Sequence, residues 1–394
     1  MIRQDKKRDY TLPGVALAAA LTLFVLFLGW YIANIIKPPI TGKDIGISGT
    51  TANRQYLVYR SYRVLSRGIQ EWPNDDTVAY DFFRYPLDGS ALRSESIISI
   101  ERKRIDSGVG TPWMRQVSND TLLFARRDND PVEAAWIDVS GNKLRSTEDE
   151  TEDIIWNGLP SSTGQKIAYY DWVSGRVIIM AGDSLPMEYD LGSDAFIPVV
   201  WDEQSNNLYL KKVSEGDLPT AGLWRLNTTT GETEEILAVR ELKLYDIDLD
   251  ISASRLVGAT YECRGLEDCG TGPSALYLVD LLSGNSVELH SDEHLSFGQP
   301  RLSPNAKQVA YTLSNGQADV WVSDLEVAGH ERRIISGRLL DWLPDSNNLV
   351  VDRDNELQLI SAKDSKIVSV ARRSGQYPDA DFLGIDYIGI VSKR

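Results

Sequence analysis

The chain has 394 residues, 42% of them apolar and 25% charged, with two cysteines. That is ordinary globular composition, long enough for one large all-β domain, and too cysteine-poor for a disulfide-held mini-domain or a C-x-x-C zinc site. The formal net charge is −16, and residues 1–40 are themselves net basic, so the remainder is more acidic still; such a body repels phosphate backbones, which excludes nucleic acid as a partner.

In chain order, residues 1–11 hold Arg3, Lys6, Lys7 and Arg8 and are followed by an uncharged run of 25 residues, Leu12–Ile36. About 20 apolar residues in a helix cross a bilayer core. Trp30 and Tyr31 stand near the outer end, where aromatic rings favour the interface. A cleaved signal peptide has an apolar core of only about 7–15 residues and a small-residue cut site; here Asn34-Ile35-Ile36-Lys37-Pro38-Pro39 follows, and no lipobox cysteine is present. The run is predicted to be a single uncleaved transmembrane α-helix. Basic residues before it place 1–11 in the cytoplasm and the rest outside, a single-pass cell-membrane protein with an extracytoplasmic C-terminal domain. Pro38-Pro39 stops the helix, and residues 37–52 read as a linker.

Residues 53–394 hold short runs of β-branched and aromatic residues broken by Gly, Asn, Asp and Ser, the pattern of many short strands. The clearest unit runs from Gln299 to Ile335: a strand, a Ser-Pro-Asn turn, the strand QVAYTL, a polar turn, the strand DVWVSDL, a Gly turn and RRII. Four antiparallel strands in about 40 residues is one propeller blade. The plan recurs at once, with Trp342 preceding Asn348 as Leu302 precedes Gln308, and earlier with Trp201 before Asn207 and Leu249 before Arg255. Third strands align on Trp136, Trp224, Tyr277 and Trp321. Seven second-strand starts follow, at Thr77, Thr121, Lys166, Asn207, Arg255, Gln308 and Asn348, with a mean spacing of about 45 residues. The fold class expected is all-β, a β-propeller of about seven four-stranded blades, six or eight remaining open. The tail DFLGIDYIGIVSKR adds one or two strands that close the ring on QYLVYRSYRVL near the start, because an open sheet edge invites aggregation.

The units PRLSPNAKQVAY and DVWVSDL resemble the TolB-like, WD40-like repeats called PD40, which read roughly P-x-W-S-P-D-G-x-x-I-A-F and then I-Y-V-x-D-L. Leu302 stands where the repeat has Trp, and Asn305-Ala306 where it has Asp-Gly; Trp342-Leu343-Pro344-Asp345-Ser346 is closer. The resemblance is good over Gln299–Val370 and degenerate elsewhere. It implies the propeller fold, an exported location and protein contacts. It transfers no functional residue, and the separate N-terminal domain of TolB itself has no counterpart.

Cys263 and Cys269 lie in the polar insertion ECRGLEDCGTG and are predicted to form a disulfide in an oxidising compartment, pinning a loop rather than the domain. Asp246, Asp248 and Asp250 alternate like the start of a calcium loop, but Ile251 replaces its Gly and Val257 its Glu; alternating carboxylates facing solvent from a strand are the simpler reading. Asp352, Asp354 and Glu356 read as a tight turn. His290, His294 and His330 read as exposed loop residues, since a pair four apart binds metal only on a helix. No G-x-S-x-G elbow, Walker loop or Rossmann fingerprint appears, so the anchored peptidases that also carry a propeller are not matched. No cofactor or metal is expected. The favoured function is a binding scaffold at the cell envelope, its partner another envelope protein or a cell-surface polymer. The alternatives are a hydrolase-like enzyme with a site in the central channel and a sensor of cations or small molecules.

Overall fold

A computed structural model describes residues 54–66, 77–88, 94–103, 112–126, 133–146, 154, 157–161, 165–181, 184–202, 204, 206–213, 222–250, 252, 254–260, 274–326, 330–354, 356–371 and 381–393. The anchor at 12–36, its flanks 1–11 and 37–52, and both cysteines lie outside the described residues. No helix among those described is long and apolar enough to cross a membrane.

Seven four-stranded antiparallel sheets form a β-propeller. The first blade in the chain supplies three strands, β1 (Gln55–Ser66), β2 (Thr77–Pro86) and β3 (Glu95–Lys103). Blade 2 holds β4 (Trp113–Ser118), β5 (Thr121–Arg126), β6 (Glu133–Ile137) and β7 (Lys143–Ser146). Blade 3 holds β8 (Leu159–Pro160), β9 (Lys166–Asp171), β10 (Arg176–Ala181) and β11 (Met187–Tyr189). Blade 4 holds β12 (Ala195–Trp201), β13 (Asn207–Val213), β14 (Gly222–Asn227) and β15 (Thr233–Glu235), then the single-turn helix α1 (Leu237–Glu241). Blade 5 holds β16 (Leu244–Asp250), β17 (Arg255–Thr260), β18 (Ser274–Asp280) and β19 (Ser286–Asp292). Blade 6 holds β20 (Ser296–Leu302), β21 (Gln308–Ser314), β22 (Ala318–Asp324) and β23 (Glu331–Ser336). Blade 7 holds β24 (Arg338–Trp342), β25 (Asn348–Arg353), β26 (Glu356–Ser361) and β27 (Ile367–Ala371).

The last strand, β28 (Asp381–Ser392), returns to blade 1 and pairs antiparallel with β1, from Gln55 opposite Ser392 to Val64 opposite Asp381. The tail therefore closes the ring on QYLVYRSYRVL, as the sequence predicts, and the count is seven. One expectation is corrected. Thr77 opens the third strand of its blade, not the second, because the C-terminal strand takes the innermost place and pushes β1 and β2 one position outward. The other six aligned starts are second strands.

The first strand of each sheet is innermost. β28 neighbours β4, β4 neighbours β8 and β8 neighbours β12, while β16, β20 and β24 neighbour one another in turn. Second strands are covered by blades on both sides and read as apolar runs, such as RLVGAT in β17, buried at its four central residues. Outer strands are covered on one side, and β19 (SVELHSD) has no buried residue. Seven apolar clusters fill the seven interfaces between blades. Leu57, Tyr59 and Phe83 meet Val350, Leu357 and Leu359 between blades 1 and 7, and Val257, Leu276 and Phe297 meet Val309 and Tyr311 between blades 5 and 6.

The meander fixes two faces. Connections between first and second strands, and between third and fourth, lie on one face; the others lie on the opposite face. Both ends of the described chain meet on the first face, where Lys393 donates its backbone N–H to Arg54 O at 2.7 Å and Ser392 to Asn119 O at 2.6 Å. We call this the terminal face. On the opposite, distal face lie the strand ends that bound the longer connections, of ten residues between β1 and β2, twelve between β7 and β8, and thirteen between β17 and β18.

Candidate functional site

The innermost strands bring ionisable side chains together across four blades. Asp248 on β16, Arg301 on β20, Asp341 on β24 and Tyr387 on β28 occupy the same level of the ring. Their second-strand partners are Val257, Ala310, Val350 and Tyr59. Each innermost strand named here carries a register irregularity beside this level, and that of β20 is the largest. Its ladder skips from Gly298 to Arg301, with Gln299 in the left-handed region at φ 50°. A non-glycine residue there is strained.

The bulge turns the Gln299 N–H onto Asp246 Oδ2 at 2.5 Å, while the Leu302 N–H reaches Asp248 Oδ2 at 2.8 Å. Arg301 donates to Pro300 O at 2.8 Å and lies 4.0 Å from Asp246 Oδ1. The Tyr387 hydroxyl donates to Asp341 Oδ2 at 2.6 Å, and Asp341 Oδ1 accepts the Trp342 N–H. All four keep partial exposure toward the axis while protein crowds them elsewhere. Desolvation lifts Asp248 to a pKa of about 6, against the pull of Arg301 and the Leu302 N–H. Burial also raises Asp341, and it raises Tyr387 well above the ordinary phenol, helped by the adjacent Asp341 carboxylate. Burial lowers Lys211, on β13, with Asp246 opposing the shift. The arrangement offers a carboxyl that titrates near neutrality beside a permanent cation and a hydrogen-bonded phenol. Those are the parts of a polar binding site or an acid–base pair.

The same strands explain the repeat's Trp. Trp201 and Trp342 end β12 and β24 and donate their indole N–H groups to the preceding blade, to Leu159 O at 3.0 Å and Arg301 O at 2.9 Å. The motif residue is a fastener between blades.

Asp246 and Asp248 do not simply face solvent, as alternation suggested; they hold β20. Asp250 accepts the Ser252 hydroxyl at 2.7 Å. Asp354 sits in a two-residue turn at φ 53°, and Asp352 pairs with Arg338 at 3.2 Å. Among the described residues no group of His, Cys, Asp or Glu is arranged to hold a metal.

His290 is corrected from loop to strand. It lies on β19, half-buried against blade 6, stacked near Phe297 and tilted against Tyr311. Its Nδ1 faces Glu331 Oε1 at 2.9 Å and its Nε2 faces Ser323 Oγ at 3.2 Å. Ser–His–Glu is the order of a hydrolase relay, yet Ser323, next to last in β22, is 5% exposed, with Val309 and Glu331 paired on either side. A nucleophile sealed in a ladder meets no substrate, so this is an interblade fastener. His294 and His330 are exposed, as expected.

On the distal face an open groove of about 810 Å³ lies between Glu241, Lys243, Thr260, Ser274, Tyr277 and Asp292.

These features define a seven-bladed, all-β propeller with a polar cluster on its innermost strands. No established family profile matches the sequence, and no curated protein matches it. Several solved structures are similar to it at low identity. Oligogalacturonate lyase from Vibrio parahaemolyticus is 13% identical, with 65% of this chain and 75% of that one covered and a TM-score of 0.46. A putative TolB from Agrobacterium tumefaciens is 10% identical over 73% and 91%, with a TM-score of 0.42. A putative 6-phosphogluconolactonase from Bacteroides fragilis is 11% identical over 88% and 99%, with a TM-score of 0.43.

Proposed function

We propose that the protein is a membrane-tethered, extracytoplasmic β-propeller scaffold of the PD40 type that presents its distal face to an envelope protein or a cell-surface polymer. The observation that carries this reading is the division between faces. The chain leaves toward the 25-residue apolar run from the terminal face, and its longest connections open on the other. A tether on one side and long connections on the other suit a presented binding surface. The connection 147–158 carries five acids and no base, which favours a basic partner surface.

The test is cross-linked capture by the full chain in intact envelopes. A partner recovered reproducibly, and lost when the five acids of 147–158 are made Asn and Gln, supports the reading. Recovery unaffected by those changes but abolished by changes at 303–307 on the terminal face would refute it.

The channel cluster favours a second reading, an enzyme with its site among Asp248, Arg301, Asp341 and Tyr387. Turnover in a hydrolase and lyase screen that Asp248→Asn abolishes would support it. Absence of turnover, with a confirmed partner on the distal face, would leave the scaffold alone.

A further inference from the structure

Nine large apolar side chains are exposed among the described residues, and five of them lie at one structural position. Leu144, Leu185, Leu282, Val287 and Ile367 sit in a connection between third and fourth strands or within the first two residues of a fourth strand. They come from blades 2, 3, 5 and 7, and all stand on the terminal face. Leu185 and Leu282, at 89% and 77% exposure, are connection tips with little packing of their own. Isolated exposed leucines are commonplace. A recurrence at the outer edge of a single face, the face where the chain emerges, is not.

We infer that the terminal face rests on the lipid surface, with these apolar tips entering the interfacial layer of a zwitterionic bilayer. The inference rests on the proposed tether. Residues 12–36 span the membrane in that reading, and the linker delivers the chain to Arg54 on this face. Exposed Lys143 and Lys366 directly precede Leu144 and Ile367, a pairing that lets an apolar group sink while the ammonium stays at headgroup level. The distal face offers Trp172 and Val173 at one hairpin tip and Leu237 in α1, without the repetition around the rim.

Five partly inserted side chains attract a bilayer only weakly and reversibly. A short flexible tether raises the local concentration to about the millimolar range, which makes weak docking the dominant state. Charge points to a zwitterionic rather than an anionic surface. Asp138, Asp280 and Asp364 stand on the same face, each held as a carboxylate by the N–H groups of its own turn. Anionic lipid therefore adds no attraction.

The full chain is reconstituted in phosphatidylcholine vesicles containing a phosphatidylcholine with a photoactivatable group near the headgroup, and adducts are mapped by peptide. Adducts are expected in peptides bearing Leu185 and Leu282 as well as in 12–36, unchanged by added phosphatidylglycerol or high salt. Leu185→Asp with Leu282→Asp removes the first set while the thermal midpoint stays unchanged, since both side chains are exposed. Adducts confined to 12–36, or equally strong at the Trp172–Val173 tip, in a chain that resists carbonate extraction would overturn the docking alone. Extraction of the chain by carbonate would overturn the tether and the docking with it.

Discussion

A carboxylate crowded by protein holds its proton longer than one in water, and Asp248 does so until about pH 6. Its folded pKa lies above the unfolded value near 3.8. The native state therefore binds more protons between about pH 4 and 6, and stability conferred by protonated Asp248 is full below that window and lost as pH rises through it. The span corresponds to about 2–3 kcal/mol. Asp341 shifts in the same direction. Asp248→Asn keeps an acceptor for the Leu302 N–H and removes the charge. Urea unfolding from pH 4 to 7 should show a flatter profile for the variant and equal or greater stability at pH 7; a profile parallel to the wild type would disprove the assignment. Ala306 offers a second residue-scale test. It stands at φ 53° where the PD40 repeat has Gly, a conformation that costs a side-chain-bearing residue about 1–2 kcal/mol. Its methyl is buried, which returns about 0.8 kcal/mol. Ala306→Gly should raise stability by about 0.5 kcal/mol, a gain of about 1–2 °C in Tm; a fall would mean that the methyl matters more than the backbone.

Between strands, the closing blade carries the most exposed design risk, because its four strands come from both chain ends. Ion pairs mark its register. Arg60 on β1 donates Nε to Asp386 on β28 at 3.0 Å, directly opposite in the ladder. Deeper in, Arg63 and Asp81 are 2% and 0% exposed and meet at 3.2 Å, with the Ser99 hydroxyl also on Asp81. A buried pair adds little over an apolar substitute, but breaking it strands a charge at about 3–5 kcal/mol. Asp81→Leu alone should therefore destabilise by about that much, while Arg63→Met with Asp81→Leu should recover most of the loss in denaturant titrations. Equal losses in single and double variants would show that strand register, not the orphan charge, sets the cost. Six second strands were legible because the Trp or Leu, the tight turn and the apolar run recur at fixed spacing. Thr77 was not. The connection from β28 to β1 is no tight turn but the meeting of two chain ends, so blade 1 lacks the punctuation that marks the other blades. The channel cluster was legible only in fragments. Asp246, Asp248 and Asp250 alternate visibly, yet nothing local ties them to Arg301, Asp341 or Tyr387. Those residues are neighbours only because successive blades pack side by side and β28 follows them around the ring. His290 was misread for the same reason: its partners Ser323 and Glu331 belong to the next blade.

At the scale of the whole molecule, the seven separate sheets leave only short, protected edges toward the axis, and the ring's stability comes from seven similar interfaces. Such a body is indifferent to where the chain is cut, provided the cut falls in a connection and the natural ends are joined. The ends are suited to joining, since the Lys393 N–H donates to Arg54 O at 2.7 Å, an ordinary backbone hydrogen bond between neighbouring strand ends that a short turn can close. Opening the chain within 147–153, on the distal face between β7 and β8, severs no described strand pairing. A permutant of residues 54–393, joined through a Gly-Ser turn and opened there, should fold with a Tm within about 5 °C of the unpermuted domain, by the tolerance of exposed connections to new termini. A chain that stops at residue 380 tests the converse. It lacks β28, exposes the inner edge of β1 and uncovers Tyr59 and Val58, both buried in the complete ring. Circular dichroism should then show loss of the cooperative transition and centrifugation should show aggregation, because an open inner edge is a template for further pairing. If the truncated chain instead melts cooperatively near the full domain's Tm, closure by β28 is an ornament of the fold and the seven interfaces are not one cooperative unit.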